Sequence, residues 1–117
     1  MPPAPVKPAV PFETFAAIDI RVGTIVRVED LPASAKLVRL IVDFGDHSRR
    51  ILAGLKRERA DPQELAGRQA LFVVNLPPRP MAGEISDGML FDLGYADGIA
   101  PCLAVPERFV PPGTRAG

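Results

Sequence analysis

The sequence has no tryptophan, and only one cysteine, one histidine and one tyrosine in 117 residues. A lone cysteine, Cys102, has no partner for an internal disulfide. A zinc site draws on three or four Cys, His or carboxylate ligands, so one Cys and one His give no reason to expect a metal. The only Cys–His nucleophile pair on offer joins Cys102, in the apolar stretch Ile99–Val105, to His47, in the turn-like Gly45-Asp46-His47-Ser48. Cys102 is therefore expected to be a buried, inert thiol. Glycine-rich phosphate loops and the G-x-S-x-G elbow are missing. No apolar run approaches the roughly 18 residues of a membrane span. The N-terminus has Lys7 as its only cation and no apolar core of a secretory signal. Nor is there an excess of either charge: 14 Lys and Arg balance 14 Asp and Glu. That excludes a polybasic binder. These absences predict a cytoplasmic, non-catalytic protein without metal, cofactor or membrane partner.

Proline and short β-forming runs are what the chain does have. At 117 residues it is one domain's length. Five of its fourteen prolines fall in residues 1–11. Proline removes a backbone donor and keeps the chain extended, so 1–11 is expected to be a flexible arm ahead of a domain over 12–117. A helical turn over Phe12–Ile18 is expected to drop Phe15 and Ile18 onto the core. Arg21–Glu29 alternates, with Val22, Thr24, Val26 and Val28 on one face. Leu37–Phe44 alternates with Val38, Leu40, Val42 and Phe44 inward. Gly45–Ser48 turns back into a strand from Arg50 to Ala53. Asp61-Pro62-Gln63-Glu64-Leu65-Ala66-Gly67 reads as a short helix, with Asp61 as N-cap, Glu64 as reciprocal capping acid and Gly67 as stop. Ala70–Leu76 is a continuous apolar strand. Pro77-Pro78-Arg79-Pro80 must then leave the ladder. Gly88–Leu93 and Cys102–Val105 are further strands about a Gly94–Gly98 turn. Short strands with one helix between the third and fourth make an all-β, five-stranded OB-fold barrel, a fold that binds oligonucleotides on its face and loops. The last strands form a C-terminal extension.

Charge is unevenly spread along this neutral chain. Residues 1–79 hold 12 Lys and Arg against 9 acids, and residues 80–107 hold five acids and no Lys or Arg. Arg49, Arg50, Lys56, Arg57 and Arg59 are accompanied by Glu58 alone. Such a basic block is either a solvated loop or a footprint for phosphate.

Several segments, in order, resemble one family. Phe15-Ala16-Ala17-Ile18-Asp19-Ile20-Arg21-Val22-Gly23-Thr24-Ile25-Val26 is similar to the opening of the tRNA-binding OB-fold domains. These comprise free-standing structure-specific tRNA-binding proteins, C-terminal domains of some methionyl-tRNA synthetases, and CsaA-like export chaperones. Pro32-Ala33-Ser34-Ala35-Lys36-Leu37 resembles the family's P-x-A-x-K-L segment. Ile51–Leu55 resembles its V-S-G-L turn, with Ala53 in the serine's place. Asn75-Leu76-Pro77-Pro78-Arg79 resembles N-L-x-P-[RK], and Ser86-Asp87-Gly88-Met89-Leu90 resembles S-x-G-M-L. The likeness runs over about residues 12–115.

The resemblance implies an RNA-binding face at Lys36, Asn75, Arg79 and Ser86; the uneven charge adds Arg49, Arg50, Lys56, Arg57 and Arg59 as a second set of candidates. Lys36 offers a point charge to phosphate. Arg79 offers a planar fork on a loop stiffened by proline. The Asn75 amide either donates to RNA or ties down a loop. The implied function is recognition of tRNA shape through backbone contacts, by a homodimer paired through apolar material beyond Leu93. The alternative is a CsaA-like chaperone that binds unfolded polypeptide. An aminoacyl-tRNA synthetase is a further expected partner.

Overall fold

The barrel is built round β1, Ile20–Asp30, in a computed structural model that describes residues 2–117. Met1, the first residue of the expected arm, lies outside the described residues. Residues 2–11 carry no helix or strand and are exposed. The rest of the main sheet comprises β2 (Val38–Asp43), β3 (Ser48–Ala53) and β4 (Gln69–Val73). Two short ladders follow. The first pairs β5 (Arg79–Met81) with β6 (Glu84–Ser86). After β7 (Met89–Leu90), the second pairs β8 (Asp92–Leu93) with β9 (Cys102–Leu103). A final strand, β10, covers Arg115–Ala116.

All ladders are antiparallel, in the order β3-β2-β1-β4-β7, with β10 also on β1. The open edge between β3 and β7 is narrowed by hydrogen bonds rather than a full ladder. Asp87 N donates to Arg50 O at 2.9 Å, and Leu52 N donates to Ser86 Oγ at 3.0 Å. The result is the expected all-β OB-fold barrel: five main strands nearly closed, a short helix between β3 and β4, and a C-terminal strand extension.

Alternation in β2 survives intact, with Val38, Leu40 and Val42 buried and Arg39, Ile41 and Asp43 half-buried. The alternation expected of β1 does not. A bulge falls between Ile25 and Arg27, which pair with Val42 and Ile41. The extra residue, Val26, is turned out to solvent at 47% exposure, and Ile25 is wholly buried. The phase of a strand flips at a bulge because two residues oppose one. Upstream of it Gly23, not Val22, faces the barrel axis. A Cβ on Gly23 would run into Val42 Cγ1 and stand 2.9 Å from Phe44 Cε1. Phe44 and Phe72 meet edge to face at that point, with ring centroids 5.5 Å apart.

The helix after β3 is one 3-10 turn, Pro62–Leu65. Asp61 caps it as expected, accepting from Gln63 N at 3.0 Å. Glu64 does not complete a capping box; its carboxylate takes Arg59 Nη1 at 2.7 Å. Leu65 is fully buried and plugs one end of the barrel.

Two further expectations are corrected. The first helix, Phe12–Ala16, buries none of its residues, and Phe15 and Ile18 are 43% and 44% exposed. A five-residue helix sits outside a barrel whose axis is already filled. Cys102 is exposed, because the two-residue strand that carries it lies outside the main sheet.

The proline run leaves the main sheet as expected and starts the β5–β6 hairpin. Its two-residue turn, Ala82-Gly83, has φ of 50° and 79°. Both values are left-handed, as a type I′ turn demands. Arg39 of β2 holds this hairpin to the barrel. It pairs with Glu84 of β6 and, at 2.8 Å, with Glu29 of β1. Hydrogen bonding from Arg39 is the main cause that draws the Glu29 carboxyl below its ordinary value of 4.5, against the opposing effect of partial burial. A depressed carboxyl contributes stability that is complete above its unfolded pKa and lost as pH falls through the folded one. We therefore expect Glu29→Gln to be less stable than the wild type at pH 7. That difference should shrink as pH drops below 4.5, in urea melts taken at several pH values.

Candidate nucleic-acid interface

A groove of about 680 Å³ opens between the end of β3, the β5–β6 hairpin and residues 89–101. Its floor is apolar: Leu37 and Leu52, which with Leu31 and Met81 form a small cluster apart from the barrel core, then Leu55, Met89 and Leu90. Three cations stand at its wall, Lys36, Arg57 and Arg79, together with two carboxylates, Glu58 and Asp92. Lys36, Arg57 and Arg79 are all exposed. Among the described residues, no carboxylate pairs with any of the three.

Lys36 and Arg79 are each placed by a rigid neighbour. Ser34 Oγ accepts from Leu37 N at 2.9 Å and from Lys36 N at 3.3 Å, which turns the chain at Lys36. Lys56 braces the same loop from below. Its ammonium reaches Leu31 O and Ser34 O, each at 2.7 Å, and Asp30 Oδ1 at 2.6 Å. Those three acceptors use its whole donor set. Arg79 opens a hairpin that Arg39–Glu84 and Ser86 anchor.

The sequence-derived candidates thus separate. Lys36 and Arg79 meet in one groove, and Arg57 joins them from the second set. Asn75 lies elsewhere. Its Oδ1 accepts from Asp19 N at 2.8 Å and its Nδ2 donates to Ala17 O at 2.7 Å. It ties the end of the helix Phe12–Ala16 to the start of β1, rather than the loop that follows its own strand. Ser86 is 3% exposed, with its hydroxyl accepting from Leu52 N and donating to Gly88 O at 3.0 Å. It is a seam residue of the barrel, with its hydroxyl already engaged on both sides. Replacing it with Ala leaves the buried Leu52 amide and the half-buried Gly88 carbonyl without this partner. We expect a loss of about 1–3 kcal/mol, read as an earlier denaturation midpoint, with no change in salt dependence of any RNA binding.

Of the remaining basic block, Arg49 bonds Val74 O and His47 Nε2 and lies 5.8 Å from the Phe44 ring. Arg59 is taken by Glu64. Lys56 is the brace already described, and Arg50 is exposed on β3 but does not line the groove. The residues that sequence reading missed are Glu58 and Asp92. Glu58 was visible only as the single acid in a basic run. In the fold, burial and the charge of Asp92 raise its pKa, against the opposing charge of Arg59.

No helix among the described residues is long and apolar enough to cross a membrane.

The family described as "Putative tRNA binding domain" matches residues 20–115. The chain belongs to that family. Its relatives include two proteins named methionine--tRNA ligase. That of Porphyromonas gingivalis is 39% identical over 96% of this chain, and that of Nitrosomonas europaea is 36% identical over 97%. The chain spans 16% of the length of each. Among solved structures, a MetRS-related protein from Pyrococcus horikoshii superposes with a TM-score of 0.86 at 33% identity, over 95% of this chain and 100% of that one. The chaperone CsaA of Bacillus anthracis gives 0.81 at 31% identity, over 94% and 100%.

Proposed function

We propose that this chain binds tRNA by its folded shape, through contacts from Lys36, Arg57 and Arg79 to phosphates and 2′-hydroxyls, without a catalytic step of its own. The observation that carries this reading is the convergence of three cations, free of carboxylate partners, on one groove of a domain in the tRNA-binding family. A folded RNA presents mostly backbone, so shape and charge supply its recognition. The scarcity of aromatics agrees, since a stacking binder of single strands uses several. The relatives named as ligases make an aminoacyl-tRNA synthetase a natural partner, and the site of action would be the cytoplasm. Equilibrium binding of unfractionated tRNA against duplex RNA and unfolded polypeptide tests the reading. Preference for tRNA is the expected result.

The active form in this proposal is a homodimer. Leu93, Val105 and Phe109 are 53–69% exposed beyond the barrel and outside the groove. An apolar surface of this kind is a pairing surface by preference. One barrel is also small beside a tRNA. Sedimentation at micromolar concentration should give twice the chain mass of 12.6 kDa; a stable monomer refutes the dimer.

The likeness to CsaA and the apolar groove floor favour one second reading, a chaperone for unfolded polypeptide. It predicts suppression of aggregation by this chain at stoichiometric ratios, undiminished by competing tRNA.

A further inference from the structure

We propose that the groove is a nucleotide subsite that takes one unpaired guanine nucleotide of an RNA. Its base would lie on Met81, Met89 and Leu90, its Watson–Crick edge would donate to Glu58 and Asp92, and its phosphate would meet Lys36 and Arg79. The inference rests on the tRNA-binding reading and names which part of the RNA the groove receives.

A nucleotide combines three chemistries: a flat apolar face, a polar edge and an anion. The groove supplies a complement to each. Its floor is Leu, Met and Ala side chains, and its volume of about 680 Å³ lies inside the roughly 300–1,000 Å³ typical of small-ligand pockets. Lys36, Arg57 and Arg79 line the same groove and supply the charge a phosphate needs. Glu58 and Asp92 are the groove's acids, and an ionised carboxylate is acceptor-only. Contacts to phosphate alone would be weakened by two carboxylates in the same groove; contacts to a base edge use them. Guanine alone among the four bases presents two adjacent donors, N1–H and the N2 amino group, on its pairing edge. Adenine and uracil interleave acceptors with donors, and cytosine has one donor group. Burial and Asp92 disfavour the ionised form of Glu58 more than Arg59 restores it, so N–H donors from a ligand relieve an interaction the protein only partly offsets. Unpaired RNA bases are the ones read this way, on their pairing edges. An extended polypeptide has no anion in its backbone to match the cations, which is why a nucleotide is the better occupant.

The test is a titration of the intact chain with GMP, AMP, CMP and UMP, followed by backbone amide shifts. GMP should shift the amides of residues 54–58 and 89–92 with roughly tenfold preference over the other three, near the lower part of the range for a bidentate base contact. Glu58→Gln, almost isosteric, should keep GMP binding but erase the preference. Arg79→Gln should weaken all four alike and keep the preference. Equal binding of all four nucleotides, or no binding, overturns the proposal. So do groove shifts produced by an unfolded polypeptide and by none of the nucleotides. Binding of tRNA is measured on the same samples. If tRNA binds and GMP shows no preference, the subsite fails and the tRNA reading stands. If GMP binds selectively and tRNA does not, the tRNA reading fails and the pocket chemistry is supported.

Discussion

Lys36→Glu combined with Arg79→Glu should reduce tRNA affinity by more than about a hundredfold, with each reversal giving at least about tenfold. Each reversal removes one charge-assisted hydrogen bond to phosphate, worth about 1.5–3 kcal/mol. The loss should be the same for every tRNA, because phosphates carry position and not sequence. Each phosphate left unneutralised should also flatten the slope of log K against log salt by roughly 0.7–0.9. Both residues are exposed and bear no ion pair, so the variants should melt as the wild type does. Arg108→Glu is the control. It stands outside the groove, 3.9 Å from Glu107 and largely in solvent, and should change little. Wild-type affinity with a wild-type salt slope in the double variant would remove the groove as the RNA face. Arg50 would then be the exposed cation left from the basic block.

Gly23→Ala is expected to be among the most damaging single substitutions in the chain, although it adds one methyl group. The Cβ would collide with Val42 and sit against Phe44 and Phe72, all three buried in the barrel core. β1 cannot back away, because it is held by β2 and β4 on either edge and by the C-terminal tail. Val22 donates to Thr114 O and accepts from Gly113 N, each at 2.8 Å, one residue from the collision. Overpacking of a closed core costs about 1–3 kcal/mol and sometimes more. For a domain of this size that is a fall of roughly 5–15 °C in melting temperature. A paired Val42→Ala change makes room and should recover part of the loss over Gly23→Ala alone. A Gly23→Ala variant that melts with the wild type would mean that β1 shifts freely, contrary to its hydrogen bonding on both edges.

Periodicity was enough for β2. Val38, Leu40 and Val42 point inward because a strand with polar alternate positions has one way to bury its apolar face. Turn chemistry was likewise legible in Asp61 with Pro62, where a side-chain acceptor and a residue lacking an N–H can do little else. The β1 phase was not legible. Val22, Gly23, Thr24, Ile25, Val26 and Val28 are nearly all acceptable on either face, so local sequence carries no signal for where the bulge falls. Its position follows from pairing with distant strands: β2 takes Thr24 and Ile25 in one register and Arg27 onward in another, β4 holds Ile20–Thr24 on the opposite edge, and Val26 absorbs the shift.

Polar residues divide along the same line. A short side chain at a strand end reads the same whether it faces solvent or closes a seam. Ser86 closes one, and Asn75 anchors a loop, because each meets backbone groups more than 30 residues away in the chain. Nothing nearby in sequence marks those partners. The basic block is a third case. Its charges are visible at once, but which of them are free depends on Glu64, Val74 O, Leu31 O and Ser34 O, all supplied by other segments. Local sequence sufficed for a small all-β barrel with a helix after its third strand, for a local excess of cations, and for Lys36 and Arg79 as exposed charges. That these two share a groove with Arg57, Glu58 and Asp92 is a property of the folded chain alone. Strand period and turn preference act over a few residues, whereas a groove is a relation among β3, the β5–β6 hairpin and the C-terminal extension that exists only once the barrel has closed.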